Sequence, residues 1–204
     1  MTDYITTKIQ KWVNDIEEYQ QIGKRVGVEE LNGLTEIDCS DNELTTIPRE
    51  IGQLVNLTTF KCYENLLTKL PLEICELVNL NILQCSENCL KELPPQIGKL
   101  VNMTELYCYD NPLTTLPSDI GKLVNLTVVN CSSNQLTELP HEIGKLVNLT
   151  DFNCDDNLLT ELPTVIGELT QLTYLSCQRN KLTQLPHEIG QCKNLTRFLH
   201  CPIS

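Results

Sequence analysis

Eleven cysteines, three histidines and 27 carboxylates give this 204-residue chain the side chains for thiol, metal and general acid–base chemistry. Their spacing argues against all three. Seven of the cysteines, Cys39, Cys62, Cys85, Cys108, Cys131, Cys154 and Cys177, recur every 23 residues. Stacked neighbours roughly 5 Å apart would fall inside the Cα window of a disulfide, but parallel Cβ vectors and an odd number oppose pairing. Burial raises a thiol pKa and suppresses the thiolate, so zinc capture is not expected. A column of small apolar side chains kept reduced is the expectation, and any reactive thiol is sought at Cys75, Cys89, Cys192 or Cys201, which fall off the column. His141 and His187 occupy one column two copies apart, roughly 10 Å, too far to share a metal directly. No Ser/His/Asp set converges, no glycine-rich phosphate loop appears, and paired carboxylates occur only as repeated surface positions. The chain is therefore expected to be no enzyme, with no catalytic residue, metal or cofactor. Asn56, Asn102, Asn125, Asn148 and Asn194 each begin an N-x-T match, but these are one repeat column and carry no expectation of glycosylation without a secretory leader.

The spacing belongs to the whole chain. Leu57, Leu80, Leu126, Leu149, Leu172 and Leu195 open successive copies of 23 residues, with Leu34 before them and Met103 standing in once. Each copy reads LxxLxCxxNxLTxLPxxIGxLxNLT, the signature of stacked repeat units. In LTEIDCSDNEL, Leu34, Ile37, Cys39 and Leu44 face one way while Glu36, Asp38 and Ser40 alternate outward, as in a short half-buried strand. One coil cannot bury its own leucines, so neighbours about 4.8 Å apart in a parallel sheet must build a continuous core.

After each strand stands an asparagine: Asn42, Asn65, Asn88, Asn111, Asn134, Asn157 and Asn180. An inward amide there can bond the N–H and C=O groups freed where the strand ends. The TxLP segment that follows carries Pro48 and its repeats to Pro186, which cannot donate in a central strand and so belong on the convex side. Ile51 and Leu54, with their repeats, are three apart and predict one helical or 3₁₀ turn resting on the core. Glycine fills the position between them except at Cys75, which reads as tolerance of a side chain there.

The LxxLxCxxNxL unit closely resembles the leucine-rich repeat, with Cys replacing its usual third Leu, and the tail LPxxIGxLxNL is similar to the Ras-group or short bacterial-type variant. The resemblance covers seven full copies and a broken eighth, residues 31–204. It implies an α/β solenoid: a horseshoe with a parallel β-sheet on its concave face, short 3₁₀ or helical turns on its convex face, and no particular reaction.

Both ends depart from the unit. Ile5, Ile9, Trp12, Val13 and Ile16 fall at helical spacing, with Asp3 as N-cap and Gly23 as stop, predicting an amphipathic helix over 4–22 within an N-terminal cap and lead-in of residues 1–30. A detachable partner-binding helix is the rival reading. The final copy, LTRFLHCPIS, has His200 where Cys is expected and lacks the Asn, LP and IG segments. Phe198 and Leu175 are then expected near an open sheet edge, which either pairs weakly with a second copy as a homodimer or is covered by the tail. No run of about 18 apolar residues occurs, so no membrane span is expected. The start MTDYITTKIQKW has no signal-peptide pattern, so a cytoplasmic or intracellular location is expected.

Function is expected where residue identity escapes the repeat. Outward strand positions include Lys61, Glu105, Tyr107 and Tyr174, and the two positions before the Asn include Tyr63, Glu64, Glu87, Tyr109 and Asp110. A solvated strand face is polar in any case, but four of the six tyrosines collect here, and Tyr offers large contact area at little rotamer entropy. With 27 acids against 15 bases the net charge of −12 disfavours nucleic acid and anionic membranes, and favours a protein partner with a basic or mixed surface. The primary reading is a non-catalytic protein–protein interaction module that binds through its concave sheet. The alternatives are an assembly protein self-associating through its ends or convex side, and a parasite or giant-virus effector that binds a host protein, the latter on resemblance alone.

Overall fold

The computed structural model describes residue 8, residues 10–14 and residues 31–200. Among the described residues there are eight strands: β1 (Glu36–Asp38), β2 (Thr59–Lys61), β3 (Ile82–Gln84), β4 (Glu105–Tyr107), β5 (Val128–Asn130), β6 (Asp151–Asn153), β7 (Tyr174–Cys177) and β8 (Arg197–His200). They form one open parallel sheet in sequence order, and the register advances by one copy per strand, setting Ile37 beside Phe60 and Phe60 beside Leu83. The fold is a horseshoe solenoid.

The strands are short because the chain turns away from them at a fixed place. Glu64, Glu87, Asp110, Ser133, Asp156 and Arg179 hold φ between 50° and 52°, the left-handed region that no strand can continue through. The next residue is the ladder asparagine. Asn65 Oδ1 accepts the Leu44 N–H at 2.8 Å, and its amide donates to Cys39 O at 2.9 Å, Cys62 O at 3.2 Å and Tyr63 O at 3.1 Å. Each later copy repeats the bonds of its amide. The asparagine thus performs the expected satisfaction of freed backbone groups.

Prolines then set up the convex turns. Pro48, at φ −66° and ψ 139°, opens the 3₁₀ segment Arg49–Gln53, and its carbonyl accepts the Ile51 N–H at 3.0 Å. The same construction recurs down to His187–Gln191, while the third copy has the shorter Ile97–Lys99. The glycine column is not tolerant. A Cβ at Gly52 would stand 2.5 Å from Glu73 O, and one at Gly121 would stand 2.6 Å from Glu142 Cβ. Cys75 stands where the next convex turn is the short Ile97–Lys99, preceded by Gln96 at φ −87° and ψ 16°.

The column of the N-x-T matches, which also holds Asn79, has a structural use that its sequence gave no hint of. Exposed Asn79, Asn102, Asn125 and Asn148 each donate to the backbone carbonyl of the valine one copy back, at 2.9 Å. Thr127 Oγ1 donates to Thr104 O, and Thr150 Oγ1 to Thr127 O. A second ladder therefore runs along the surface beside the buried one.

All seven column cysteines are fully buried. The thiol of Cys39 donates to Lys61 O at 3.2 Å and that of Cys154 to Ser176 O at 3.3 Å, so the small sulfur both fills the core and tethers the next strand. Burial pushes the Cys108 thiol up to about 12 and raises those of Cys62, Cys85, Cys131 and Cys154. The off-column expectation needs correction. Cys75 and Cys192 are buried and not reactive candidates: Cys75 is raised to about 11 by desolvation, and Cys192 packs in a leucine position with its thiol donating to Ile166 O. Cys89 is exposed, and Cys201 lies outside the described residues. Brief alkylation of the native protein should therefore mark Cys89 and spare the column. Cys108→Ser should cost about 1–3 kcal/mol in chemical denaturation, more than Cys108→Ala, because a hydroxyl enters a site built for a weakly polar thiol.

At the amino end, residues 10–14 are helical, Val13 is fully buried in the solenoid core, and Lys8 Nζ lies 2.9 Å from Glu50 in the first convex turn. The remaining predicted helix, with Asp3, Ile5, Ile9, Ile16 and Gly23, lies outside the described residues, so only its contact with the first coil is seen. At the other end Leu175 is fully buried beneath the last coil, whereas Leu182, Leu185, Ile189, Leu195 and Phe198 are only partly covered.

Candidate functional site

The alternation of each strand decides which side chains reach the concave face. Leu106 and Cys108 point into the core with no exposure, so Tyr107 and Tyr109 on either side of Cys108 must project outward, and both are half-buried. With Tyr63 they line a cleft of about 510 Å³ whose other walls are Gln84, Ser86 and Asn130. Sequence reasoning reached the tyrosines and missed these three polar residues. Their signal was available in the same outward columns of the neighbouring copies.

The cleft is electrostatically defined. The Tyr107 hydroxyl donates to Glu105 Oε2 at 2.9 Å, and burial together with that carboxylate pushes the phenol up to about 12. Burial and the charge of Glu87 likewise raise Tyr109. Both phenols remain neutral, and their protons face carboxylates. Ser86 is 1% exposed, and its hydroxyl beside the Tyr109 phenol opposes that upward shift. Asn130 Oδ1 is already engaged, accepting from the Ser132 N–H at 3.1 Å and the Ser132 hydroxyl at 2.8 Å.

The other candidate residues are distributed along the face. Lys61 Nζ lies 2.6 Å from Glu36 and 3.7 Å from Asp38, so this cation is held by carboxylates of β1. Glu64, Glu87 and Asp110 all occupy the left-handed position, which fixes their place at the strand ends. Tyr174 is not part of the cleft; it pairs in register with Arg197, whose guanidinium carbon lies 5.0 Å from the ring centre. Near it, the Ser176 hydroxyl is fully buried and donates to Asp155 at 2.6 Å, so this outward strand position is not solvated as the sequence suggested. His141 and His187 open separate convex turns. Among the described residues, no group of His, Cys, Asp and Glu is placed to hold a metal, and no helix is long and apolar enough to cross a membrane.

A parallel strand ladder, an asparagine ladder behind it and 3₁₀ turns opposite define a repeat solenoid that offers one side-chain-lined concave sheet. Family profiles described as a leucine-rich repeat region and a leucine-rich repeat match residues 114–203 and 33–54, together more than half of the chain. The chain belongs to the leucine-rich repeat proteins. An LRR protein from Leptospira interrogans is 30% identical with a TM-score of 0.65, the match covering 84% of this chain and 55% of that one. An internalin from Listeria monocytogenes shares the fold with a TM-score of 0.73 at 20% identity, covering 84% and 51% of the two chains. The LRR ectodomain of the Arabidopsis thaliana receptor kinase GASSHO1/SCHENGEN3, solved in complex with Casparian strip integrity factor 2, is 29% identical with a TM-score of 0.72, over 81% of this chain and 21% of that one. The chain thus spans about half, or less, of the length of these proteins. No curated protein matches the sequence at a significant level.

Proposed function

We propose that the chain is a protein-binding module that takes a polypeptide partner along its concave sheet, centred on Tyr63, Tyr107 and Tyr109. The observation that carries this reading is the cleft itself: three tyrosines that the repeat does not dictate line one concavity on a rigid strand face. The net charge of −12 supports a partner of basic or mixed surface. A similar plant peptide hormone receptor, RGFR1, was solved in complex with RGF2, and the similar Arabidopsis ectodomain in complex with Casparian strip integrity factor 2, which favours a peptide or extended segment.

The double substitution Tyr107→Ala/Tyr109→Ala tests it. Because both rings lie outside the core, the melting temperature should hardly move, while capture of the native partner should weaken by about 2 kcal/mol or more. Charge reversal at Glu64, Glu87 and Asp110 should mainly slow association and flatten its salt dependence. Survival of capture in both variants, with loss on changing the convex residues His141, Glu142 and Lys145, would sink this reading in favour of assembly through the back of the horseshoe.

A further inference from the structure

We propose that the tyrosine cleft is a receptor for one arginine side chain of the partner, its guanidinium stacked among Tyr63, Tyr107 and Tyr109 and shared with the carboxylates of Glu87 and Glu105. This rests on the reading of the concave sheet as the binding face and adds the chemistry of what enters it.

The charge of the lining and the placement of the rings carry the proposal. Residues 82–87, 105–110 and 128–133, which supply all of the lining but Tyr63, contain Glu87, Glu105 and Asp110 but no Lys, Arg or His, while the segment 59–64 that supplies Tyr63 adds Lys61 and Glu64. The bases that flank this stretch on the same face are engaged elsewhere, Lys61 with Glu36 and Arg179 with Asp156 at 2.6 Å. Among the described residues Glu87, Glu105 and Asp110 form no ion pair, and Glu105 and Glu87 face phenol donors, so a positive group entering the cleft gains their field without displacing an existing ion pair.

The rings add a second attraction. The Tyr107 and Tyr109 hydroxyls are turned to Glu105 and Glu87, and a cation over a Tyr face is favoured most where it is partly desolvated. The same sheet already contains this pairing, with Arg197 over Tyr174 at 5.0 Å between adjacent strands. A guanidinium brings only donors to Glu87 and Glu105, whereas an apolar side chain offers them none and a carboxylate meets two like charges. Finally, a planar, weakly hydrated fork suits stacked rings and flat carboxylates better than a compact ammonium.

The test needs no partner. Nα-acetyl-arginine amide and its uncharged isostere Nα-acetyl-citrulline amide are titrated into the full chain, with ring signals of the tyrosines followed by NMR. Arginine should shift Tyr63, Tyr107 and Tyr109 saturably, leave Tyr174 unmoved, and bind about fivefold or more tightly than citrulline. Glu87→Gln/Glu105→Gln should reduce arginine to the citrulline level. Equal response to the two probes, equal movement of Tyr174, or an unaffected carboxamide variant overturns the proposal. That failure would leave the concave-face reading intact, since a partner can bind there without arginine. Conversely, arginine-selective shifts in a chain whose partner capture survives loss of Tyr107 and Tyr109 would reject the concave-face reading alone.

Discussion

Asn111→Leu should cost about 3–4 kcal/mol in equilibrium unfolding, among the largest effects of any single surface-neutral change in volume in this chain. The side chain makes four bonds at the middle of the stack: Oδ1 accepts the Leu90 N–H at 2.9 Å, and Nδ2 donates to Cys85 O at 3.1 Å, Cys108 O at 3.3 Å and Tyr109 O at 3.1 Å. Leucine has similar bulk but leaves that N–H and those carbonyls buried without this partner. Water cannot replace the amide easily, because Asn111 is only 6% exposed. A second substitution separates acceptor from donor. Asn111→Asp keeps the acceptor for Leu90 but aims a carboxylate at three carbonyl oxygens, which raises its pKa in the folded state. The sign follows: the folded form prefers the protonated acid, so this variant should be most stable at acid pH and lose stability as pH rises through the carboxylate range. Denaturant midpoints at several pH values check both points. A pH-independent loss would mean that the donor half of the ladder contributes little.

The ladder was legible because its chemistry is confined to one residue type at one spacing. Asparagine at every ninth position of the unit, just where a strand must end, leaves few physical uses for a buried amide. The cysteine column was legible for the same reason, since it alternates with outward residues around Ile37 and its equivalents. Two classes of feature were not. One is backbone conformation without a glycine marker: Glu64, Glu87 and Asp110 sit at φ near 50°, yet their residue type signals charge rather than a left-handed turn. The other is contact across coils. Gln84 and Asn130 become cleft walls only because strands 23 residues apart in sequence lie side by side, and the exposed valines, such as Val101 at 48%, are revealed as surface only when the turn before each strand is placed. The candidate tyrosines fell between these cases. Alternation put Tyr107 and Tyr109 outside the core, but their convergence with Tyr63, two strands away for Tyr107, needed the sheet.

Cys75 shows how a single exception misleads when the neighbouring coil is unseen, and the glycine column supplies the sharper prediction. Gly121→Ala should destabilise by about 2 kcal/mol or more, although alanine is ordinarily the better residue in a helical turn. The added carbon meets Glu142 Cβ at 2.6 Å and Glu142 O at 2.7 Å, and neither is the far end of a flexible side chain. The backbone of one convex turn must then move away from the next, which opens the stack above Ile120 and Ile143, both fully buried. Gly190→Ala is the matched control. It occupies the same column in the seventh copy, but an added Cβ there has nothing within 4 Å, so alanine should be neutral or stabilise by up to about 1 kcal/mol through the unfolded chain. Thermal melts should therefore separate the two variants, with Gly121→Ala below its parent and Gly190→Ala at or above it. If Gly121→Ala melts like its parent, the convex turns are not in backbone contact and coil spacing is set by the sheet and asparagine ladder alone. If both variants lose stability equally, the glycines are required by their own backbone conformation rather than by the coil that follows. The predicted asymmetry therefore measures whether the 23-residue spacing is enforced on the back of the horseshoe as well as on its front.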